Sequence, residues 1–193
     1  EFLYGDGHDD YADNPRRFAF LCRAALEFAA RSGEAVDVVH AHDWQTALAP
    51  DFLRTEYAES PALGGATAVL TIHDASYQGV FAAEWMGMLG IPRSLFTLDG
   101  LEFWGRLSFL KGGIVFADVV TTIGKTYAAR LVAGDRPTGL EGLLAARGES
   151  LVGLVDDLAL SAPAGVPAVD EVARRLAETF ERAIGARRAR MRA

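Results

Sequence analysis

The chain has 193 residues, a formal net charge of −7, and a composition of 50% hydrophobic and 23% charged residues, which is typical of one globular domain with a substantial core. The negative charge gives no electrostatic reason for binding a nucleic-acid backbone or an anionic membrane, and the single cysteine, Cys22, excludes an internal disulfide and a thiolate zinc cluster. With neither a signal peptide nor a run of membrane-spanning length, the sequence predicts a soluble, cytoplasmic protein.

The first predicted element is a helix over residues 14–31. Asn14 is expected to cap this helix, and Pro15 suits its first helical position. Four apolar side chains follow helical spacing: Phe18, Leu21, Ala25 and Phe28. Ser32 and Gly33 are expected to end the helix.

Short β-branched segments then predict three buried strands, over residues 36–40, 67–73 and 119–123. Between the first two strands, residues 44–58 predict a second helix. The internal Pro50 must bend or restart that helix, because proline lacks the amide donor and clashes with the preceding turn.

The segment between the second and third strands divides into two parts. Residues 74–105 are irregular and rich in glycine and aromatic residues, whereas residues 106–118 predict a helix despite two glycines. Strands that alternate with helices predict an α/β fold, a Rossmann-like parallel sheet with helices on both faces. Ligands of such sheets bind beyond the carboxyl ends of the strands, where His40, His73 and Gly124 are expected.

The C-terminal part differs in composition from the rest. Residues 161–168 have the composition of a linker, and the segment after them predicts an amphipathic helix. Its apolar face is formed by Val172, Leu176, Phe180 and Ala183 or Ile184. From Glu171 onward, seven arginines and three glutamates give a local charge of +4, which leaves −11 for the preceding residues. We expect this helix to dock on the domain or on a partner.

The segment His40-Ala-His42-Asp43 is compatible with two interpretations. Alternate residues of a strand point the same way, so the imidazoles and the carboxylate could converge on zinc or iron in a metal-dependent hydrolase. In the other interpretation, one histidine is buried and hydrogen-bonded while the other ends the strand.

His73 stands at a strand end and is followed by a polar, aromatic loop that contains Tyr77 and Gln78. A sugar pocket needs this mixture, because planar polar groups bind hydroxyls and aromatic faces pack on C–H surfaces. The alternative is a structural histidine that has found a hydrogen-bond partner.

Five segments together resemble the family of bacterial glycogen synthases and plant starch synthases. They are DNPRRFAFLCRAALEFA, DVVHAHDWQTALAP, TIHDASYQGVF, LEFWGRLSFLKGGIVFADVVTTIGKTYA and GLEGLLAARG, in the family's order and at close to its spacing over residues 11–154. The resemblance implies a retaining glucosyltransferase that moves glucose from ADP-glucose to the non-reducing end of an α-1,4-glucan. It also implies two Rossmann-like domains that face each other across a cleft, with no metal and no cofactor besides the donor substrate.

The resemblance implies specific roles at this cleft. His73 matches the family histidine that lies against the donor glucose, and Asp43 is delivered toward the sugar. Substrate-binding positions are therefore expected at Asp43, Asp74, Tyr77, Gln78 and Asp156. Two of these depart from the family, which has asparagine at the positions of Asp74 and Asp156. Because an ionised carboxylate only accepts hydrogen bonds, the pairing with sugar hydroxyls must change there.

The resemblance divides the chain into residues 1–154, part of an N-terminal catalytic domain, and residues 155–193, a divergent linker and basic helix. The family's opening phosphate-binding segment and its second, nucleotide-binding domain have no counterpart in the sequence. The chain is therefore expected to be inactive alone, with the missing domain as a partner. Two alternatives stay open: a non-catalytic glucan-binding or interaction module whose cleft the C-terminal helix covers, and the metal-dependent hydrolase.

Overall fold

The computed structural model describes residues 3–155 and 167–192. Its helices are α1 (Asn14–Arg31), α2 (Asp43–Thr46), α3 (Leu48–Arg54), α4 (Trp85–Met88), α5 (Phe109–Phe116), α6 (Lys125–Ala133), α7 (Glu141–Ala146) and α8 (Pro167–Arg192), with 3₁₀ turns at Arg93–Leu95 and Gly148–Ser150. Its strands are β1 (Val38–His42), β2 (Thr67–Ile72), β3 (Val80–Phe81), β4 (Glu102–Phe103), β5 (Arg106–Ser108), β6 (Val119–Gly124) and β7 (Leu151–Val155).

A parallel four-stranded sheet in the order β1-β2-β6-β7 forms the centre of the fold. Val38 lies beside Thr67, Val69 beside Val119, and Val120 beside Leu151. The predicted α/β class and parallel sheet are confirmed, although β7 was not predicted. The predicted strand over residues 36–40 is displaced by two residues, so β1 ends at His42 and His40 lies in its middle.

The main core lies on one face of the sheet. Alternate residues of β2, which are Ala68, Leu70 and Ile72, pack against α3 and α5, and α1 packs in turn on α3. The helix over residues 14–31 is confirmed, but its buried face follows Phe18, Cys22 and Leu26. Phe28, which was placed by helical spacing, is 81% exposed, and Leu21 is exposed too.

Two local expectations about the helices have different outcomes. Asn14 does not cap α1, because its side chain instead donates to the Tyr4 carbonyl and accepts from Arg17. Pro50 lies in the first turn of α3, where a missing amide donor costs no helical hydrogen bond. The predicted helix over residues 44–58 is accordingly divided into α2 and α3 and ends at Arg54.

The predicted irregular region contains a small antiparallel sheet in the order β3-β5-β4. The β4–β5 hairpin turns at Trp104 and Gly105, both of which have positive φ angles, 53° and 76°. The first residues of the predicted helix over 106–118 belong to β5, and α5 begins at Phe109. Ser108 caps this helix, because its hydroxyl accepts a hydrogen bond from the Lys111 amide.

Helix α8 covers the other face of the sheet, which confirms helices on both faces and the docking of the C-terminal helix on the domain. Phe180 packs edge-on against the His40 ring, with ring centroids 5.2 Å apart, and Thr179 and Ala183 are buried. At the amino-terminal edge of the sheet, Arg188 and Arg190 pair with Asp37 and Asp118. The predicted linker at residues 161–168 lies largely outside the described residues. Every helix within residues 3–155 and 167–192 is too short or too polar to traverse a bilayer.

Candidate functional site

The carboxyl edge of the parallel sheet brings together residues from three strand ends. Strand β1 ends at His42 and is followed by Asp43, β2 is followed by His73 and Asp74, and β6 ends at Gly124. Because parallel strands end at the same edge, residues about 30 positions apart along the chain become neighbours here.

Asp43 links the first two of these strand ends. Its backbone adopts a left-handed conformation with φ of 51°, which is unusual for a residue with a side chain. One carboxylate oxygen, Oδ1, accepts hydrogen bonds from the backbone amides of His73 at 2.7 Å and Asp74 at 3.4 Å. The strained residue therefore fixes the start of the His73 loop.

Three histidine rings form a row along this part of the sheet. The Nδ1 atom of His42 lies 3.1 Å from Nε2 of His73, and the two rings, whose centroids are 5.4 Å apart, meet edge to edge with an interplanar angle of 20°. The His40 ring lies 4.2 Å from the His42 ring, and its Nε2 bonds to the Thr71 hydroxyl at 2.7 Å. His40 is thus the half-buried, hydrogen-bonded histidine of the second interpretation, and His42 ends the strand.

The surroundings of His40 and His42 favour their neutral rings. Burial and, to a smaller extent, the charges that His42 and His73 acquire on protonation together lower the pKa of His40 to about 4. Burial also lowers the pKa of His42, with a further contribution from His73, while the Asp43 carboxylate acts in the opposite direction. A neutral imidazole has one donor and one acceptor nitrogen, so its hydrogen bonds depend on which nitrogen carries the proton.

The geometry gives the metal-dependent hydrolase no support. His40 bonds to Thr71, while His42 and Asp43 bond to the ring and the backbone amide of His73, so the three side chains already have protein partners. Within the part of the chain that the structure describes, no group of three histidine, cysteine or carboxylate side chains is arranged to hold a metal ion.

The loop after His73 is held at both ends. The Asp74 carboxylate accepts from the Ser76 amide at 2.9 Å, and the Tyr127 hydroxyl accepts from the Ala75 amide at 3.0 Å. Gln78 donates to the Thr138 carbonyl at 2.8 Å. The amide of Gln78 therefore anchors the loop, whereas its predicted role in substrate binding stays a prediction.

Two cavities lie on either side of this loop and share Ser76. The first, of about 190 Å³, is lined by Asp74, Ala75, Ser76, Tyr127, Arg130, Leu131, Asp135, Arg136 and Thr138. The second, of about 360 Å³, is lined by Asp10, Trp44, Ser76, Tyr77, Gln78, Gly79, Val80, Phe81 and Phe103. Tyr77 is 68% exposed, so its ring is accessible beside the second cavity.

Sequence reasoning placed His73, Asp43, Asp74, Tyr77 and Gln78 at one site, and the structure brings these five together at the carboxyl edge. Asp156, the remaining expected position, lies outside the described residues. Sequence reasoning missed Tyr127 and Arg130, which lie on α6. The signal that could have found them is their position on the helix that follows β6, the third strand end of this edge.

The carboxyl edge of the sheet is exposed, which tests the alternative in which the C-terminal helix covers the cleft. His73, Asp74 and Tyr77 are exposed, while the described part of α8 packs on the sheet face and on β7. In the described part of the chain the C-terminal helix therefore does not cover the cleft, contrary to the alternative of a covered, non-catalytic module.

Parallel β-α-β connections with polar residues gathered at the carboxyl edge define a Rossmann-like α/β domain. A family model described as the starch synthase catalytic domain matches residues 1–146. The chain belongs to this family, as the resemblance of its motifs predicted.

Individual relatives agree with the family model. Glycogen synthase 2 of Geobacter sulfurreducens is 46% identical over 158 residues, which cover 82% of this chain and 33% of that protein. Glycogen synthase of Thermodesulfovibrio yellowstonii is 43% identical over 156 residues, which cover 81% of this chain and 31% of that protein. The chain thus spans about a third of the length of these relatives.

A solved structure is similar as well. The catalytic domain of starch synthase IV from Arabidopsis thaliana, bound to ADP and acarbose, superposes with a TM-score of 0.71 at 32% sequence identity. The match covers 82% of this chain and 33% of that chain. The fold is therefore that of one part of a starch synthase catalytic domain.

Proposed function

We propose that this chain forms the acceptor-side part of a glucosyltransferase that moves glucose from ADP-glucose to the non-reducing end of an α-1,4-glucan with retention of configuration. The observation that carries the proposal is the exposed His73, which the Asp43 carboxylate holds at the carboxyl edge beside two cavities. The names of the relatives, and the ADP and acarbose bound by the similar starch synthase IV, support it.

In this proposal His73 binds and orients the transferred glucose. A ring N–H donates to a sugar hydroxyl, and the fixed dipole stabilises the charge that develops at the sugar ring. The C1–O bond to the diphosphate breaks while the glucan 4-hydroxyl forms its bond to C1, and the hydroxyl proton passes to the departing phosphate oxygen. Positioning and electrostatic stabilisation then supply most of the rate, and no metal or further cofactor takes part.

The nucleotide is proposed to bind mainly to a further domain. The relatives are about three times as long as the matched segment, and the match leaves about two thirds of each outside this chain. Because a cleft needs two walls, the carboxyl edge described above forms one wall, to which the glucan and the sugar bind. The cytoplasm is the compartment we propose, because the nucleotide-sugar donor is a soluble metabolite there.

A chimera tests this function. Residues 1–154 replace the matching segment of Geobacter sulfurreducens glycogen synthase 2, and the transfer of labelled glucose from ADP-glucose to glycogen is measured. We expect transfer by the chimera, background transfer by the 193-residue chain alone, and a loss of about 100-fold or more in kcat for His73→Ala, the scale of one transition-state donor.

His8→Ala is the control, because His8 is exposed in the N-terminal segment and lines neither cavity. A folded chimera with no transfer would refute the proposed function. Unchanged turnover of His73→Ala would remove that residue from its proposed role, and transfer by the chain alone would refute the need for a second domain.

A further inference from the structure

The hydrogen bond between the His42 and His73 rings couples the proton positions of two residues on different strands. Their facing nitrogens, Nδ1 of His42 and Nε2 of His73, are 3.1 Å apart, so one of them donates and the other accepts. If His42 carries its proton on Nδ1, a neutral His73 must carry its own on Nδ1. If His42 carries its proton on Nε2, His73 carries its proton on Nε2.

The rest of the structure holds the His42 ring in place for this contact. The His42 amide donates to the Thr46 hydroxyl at 2.5 Å, and the same hydroxyl donates to the His42 carbonyl at 2.7 Å. On its other side, the His42 ring packs on His40, which Thr71 anchors. Thr46 therefore fixes the backbone of His42, and the packing on His40 restricts its ring, although the residue is exposed at the edge.

Among the described residues, His42 supplies the only hydrogen bond to the His73 ring. The Asp43 carboxylate holds the His73 backbone but leaves rotation about the side-chain bonds unconstrained. The plane of the His73 ring and the identity of its protonated nitrogen thus depend on His42. For a residue that must present an N–H to a sugar, both properties decide whether the donor is aimed correctly.

We propose that His42 is a positioning residue for His73: it donates from Nδ1 to Nε2 of His73 and thereby keeps the His73 proton on Nδ1, facing the sugar. This inference rests on the proposed function for its catalytic consequence, since only a sugar-binding His73 needs a donor on that side. The proton arrangement itself is a property of the chain and is measurable without any substrate.

Nitrogen NMR of the ¹⁵N-histidine-labelled 193-residue chain tests the arrangement. The chain has four histidines, so single variants assign every ring. At about pH 8, above the usual imidazole pKa, the ¹⁵N shifts distinguish a protonated from an unprotonated ring nitrogen. We expect Nδ1 of His73 to be protonated in the wild type, and a proton on Nε2 instead would overturn the proposal.

Two variants separate hydrogen bonding from packing. His42→Phe keeps an aromatic ring against His40 but removes the donor, so the His73 proton is expected to shift toward Nε2. His42→Asn loses the ring but places an amide N–H where Nδ1 stood, so the wild-type proton position is expected to be restored. A merely structural role predicts no change of proton position in His42→Phe, and that result would overturn the inference.

The chimera provides the catalytic readout. We expect His42→Phe to lower kcat by about 10- to 100-fold, the range for a misplaced catalytic group, with the KM for glycogen changed by less than about twofold. His42→Asn should recover most of that loss, and His8→Asn is the matched control. An inactive wild-type chimera would refute the proposed function while leaving the NMR result valid, whereas an active chimera with unchanged kcat in His42→Phe would refute the inference alone.

Discussion

Asp51 places a carboxyl group in the interior, on the buried side of α3. It is fully buried, and neither of its oxygens has a hydrogen-bond partner among the described groups. Burial and, to a smaller extent, the nearby Glu56 carboxylate raise its pKa to about 7, and the Arg23 guanidinium only partly opposes them. The folded protein therefore holds a proton on Asp51 over a pH range in which the unfolded chain has released it.

The raised pKa fixes the direction of the pH effect. Between about pH 4 and pH 7 the folded state binds more protons at Asp51 than the unfolded state, so its contribution to stability falls as pH rises through that range. We expect Asp51→Leu, which replaces the carboxyl by a group of similar shape, to raise the free energy of unfolding by about 1–3 kcal/mol at pH 8 and by less at pH 5. Urea unfolding at both pH values measures the difference.

Asp51→Asn is the control for that experiment, because it keeps a polar group of the same size but cannot titrate. It should lose the pH dependence without the full gain in stability. An equal effect of Asp51→Leu at both pH values would show that the carboxyl does not change its protonation on unfolding.

At the scale of single elements, α5 depends on a close approach that only glycine permits. A Cβ on Gly113 would lie 2.7 Å from the Ala47 Cβ and 2.8 Å from the Ala47 carbonyl oxygen, at the junction of α2 and α3. Of the two glycines that weaken the helical pattern of α5, Gly113 is thus explained by its close packing against the backbone at Ala47.

A pair of glycine-to-alanine substitutions tests this packing. Gly113→Ala should lower the free energy of unfolding by about 1–3 kcal/mol, the usual cost of overpacking a filled core. Gly142→Ala in α7 meets no atom within 4 Å and should be neutral or stabilising by up to about 1 kcal/mol through helix propensity. Thermal unfolding of both variants checks this, and equal effects would contradict the close approach.

Elements could be predicted from the sequence to the extent that their own residues determine them. Strand β2 is buried along its whole length and differs from its predicted bounds by one residue. Strand β1 was displaced because the polar His42, which continues the strand, does not follow an apolar pattern. The short strands β4 and β5 were missed, since their pairing depends on a turn at Trp104 rather than on hydrophobic periodicity.

The candidate site shows the same division. His73 and its loop could be found from the motif, because they are contiguous in sequence. Neither the contact between His42 and His73 nor the amide contacts of Asp43 could be predicted, because they depend on which strands lie side by side. Spacing gives the face on which a side chain lies but not its partner across the sheet.

At the scale of the whole molecule, the acidic and basic parts of the chain meet along α8. The last 23 residues carry a local charge of +4, and the preceding residues carry −11. Asp118, whose side chain is 11% exposed, forms ion pairs with Arg54, Arg187 and Arg190. The ion pair between Arg188 and Asp37 is exposed to solvent. Charge is thus complementary between α8 and the sheet, but exposed pairs contribute only about 0–1 kcal/mol each.

Apolar packing should therefore dominate the docking of α8. Phe180→Ala removes the ring that packs on His40 and should cost about 2–3 kcal/mol, whereas Arg188→Ala should cost less than about 1 kcal/mol. Hydrogen exchange of the α8 amides is the measurement, with the 63%-exposed Met191 as the site of a control alanine substitution. At about 1 M salt the exposed pairs are screened, yet α8 should stay protected. If α8 instead loses protection in salt while Phe180→Ala leaves it intact, the arginines rather than the aromatic contact hold the helix on the sheet.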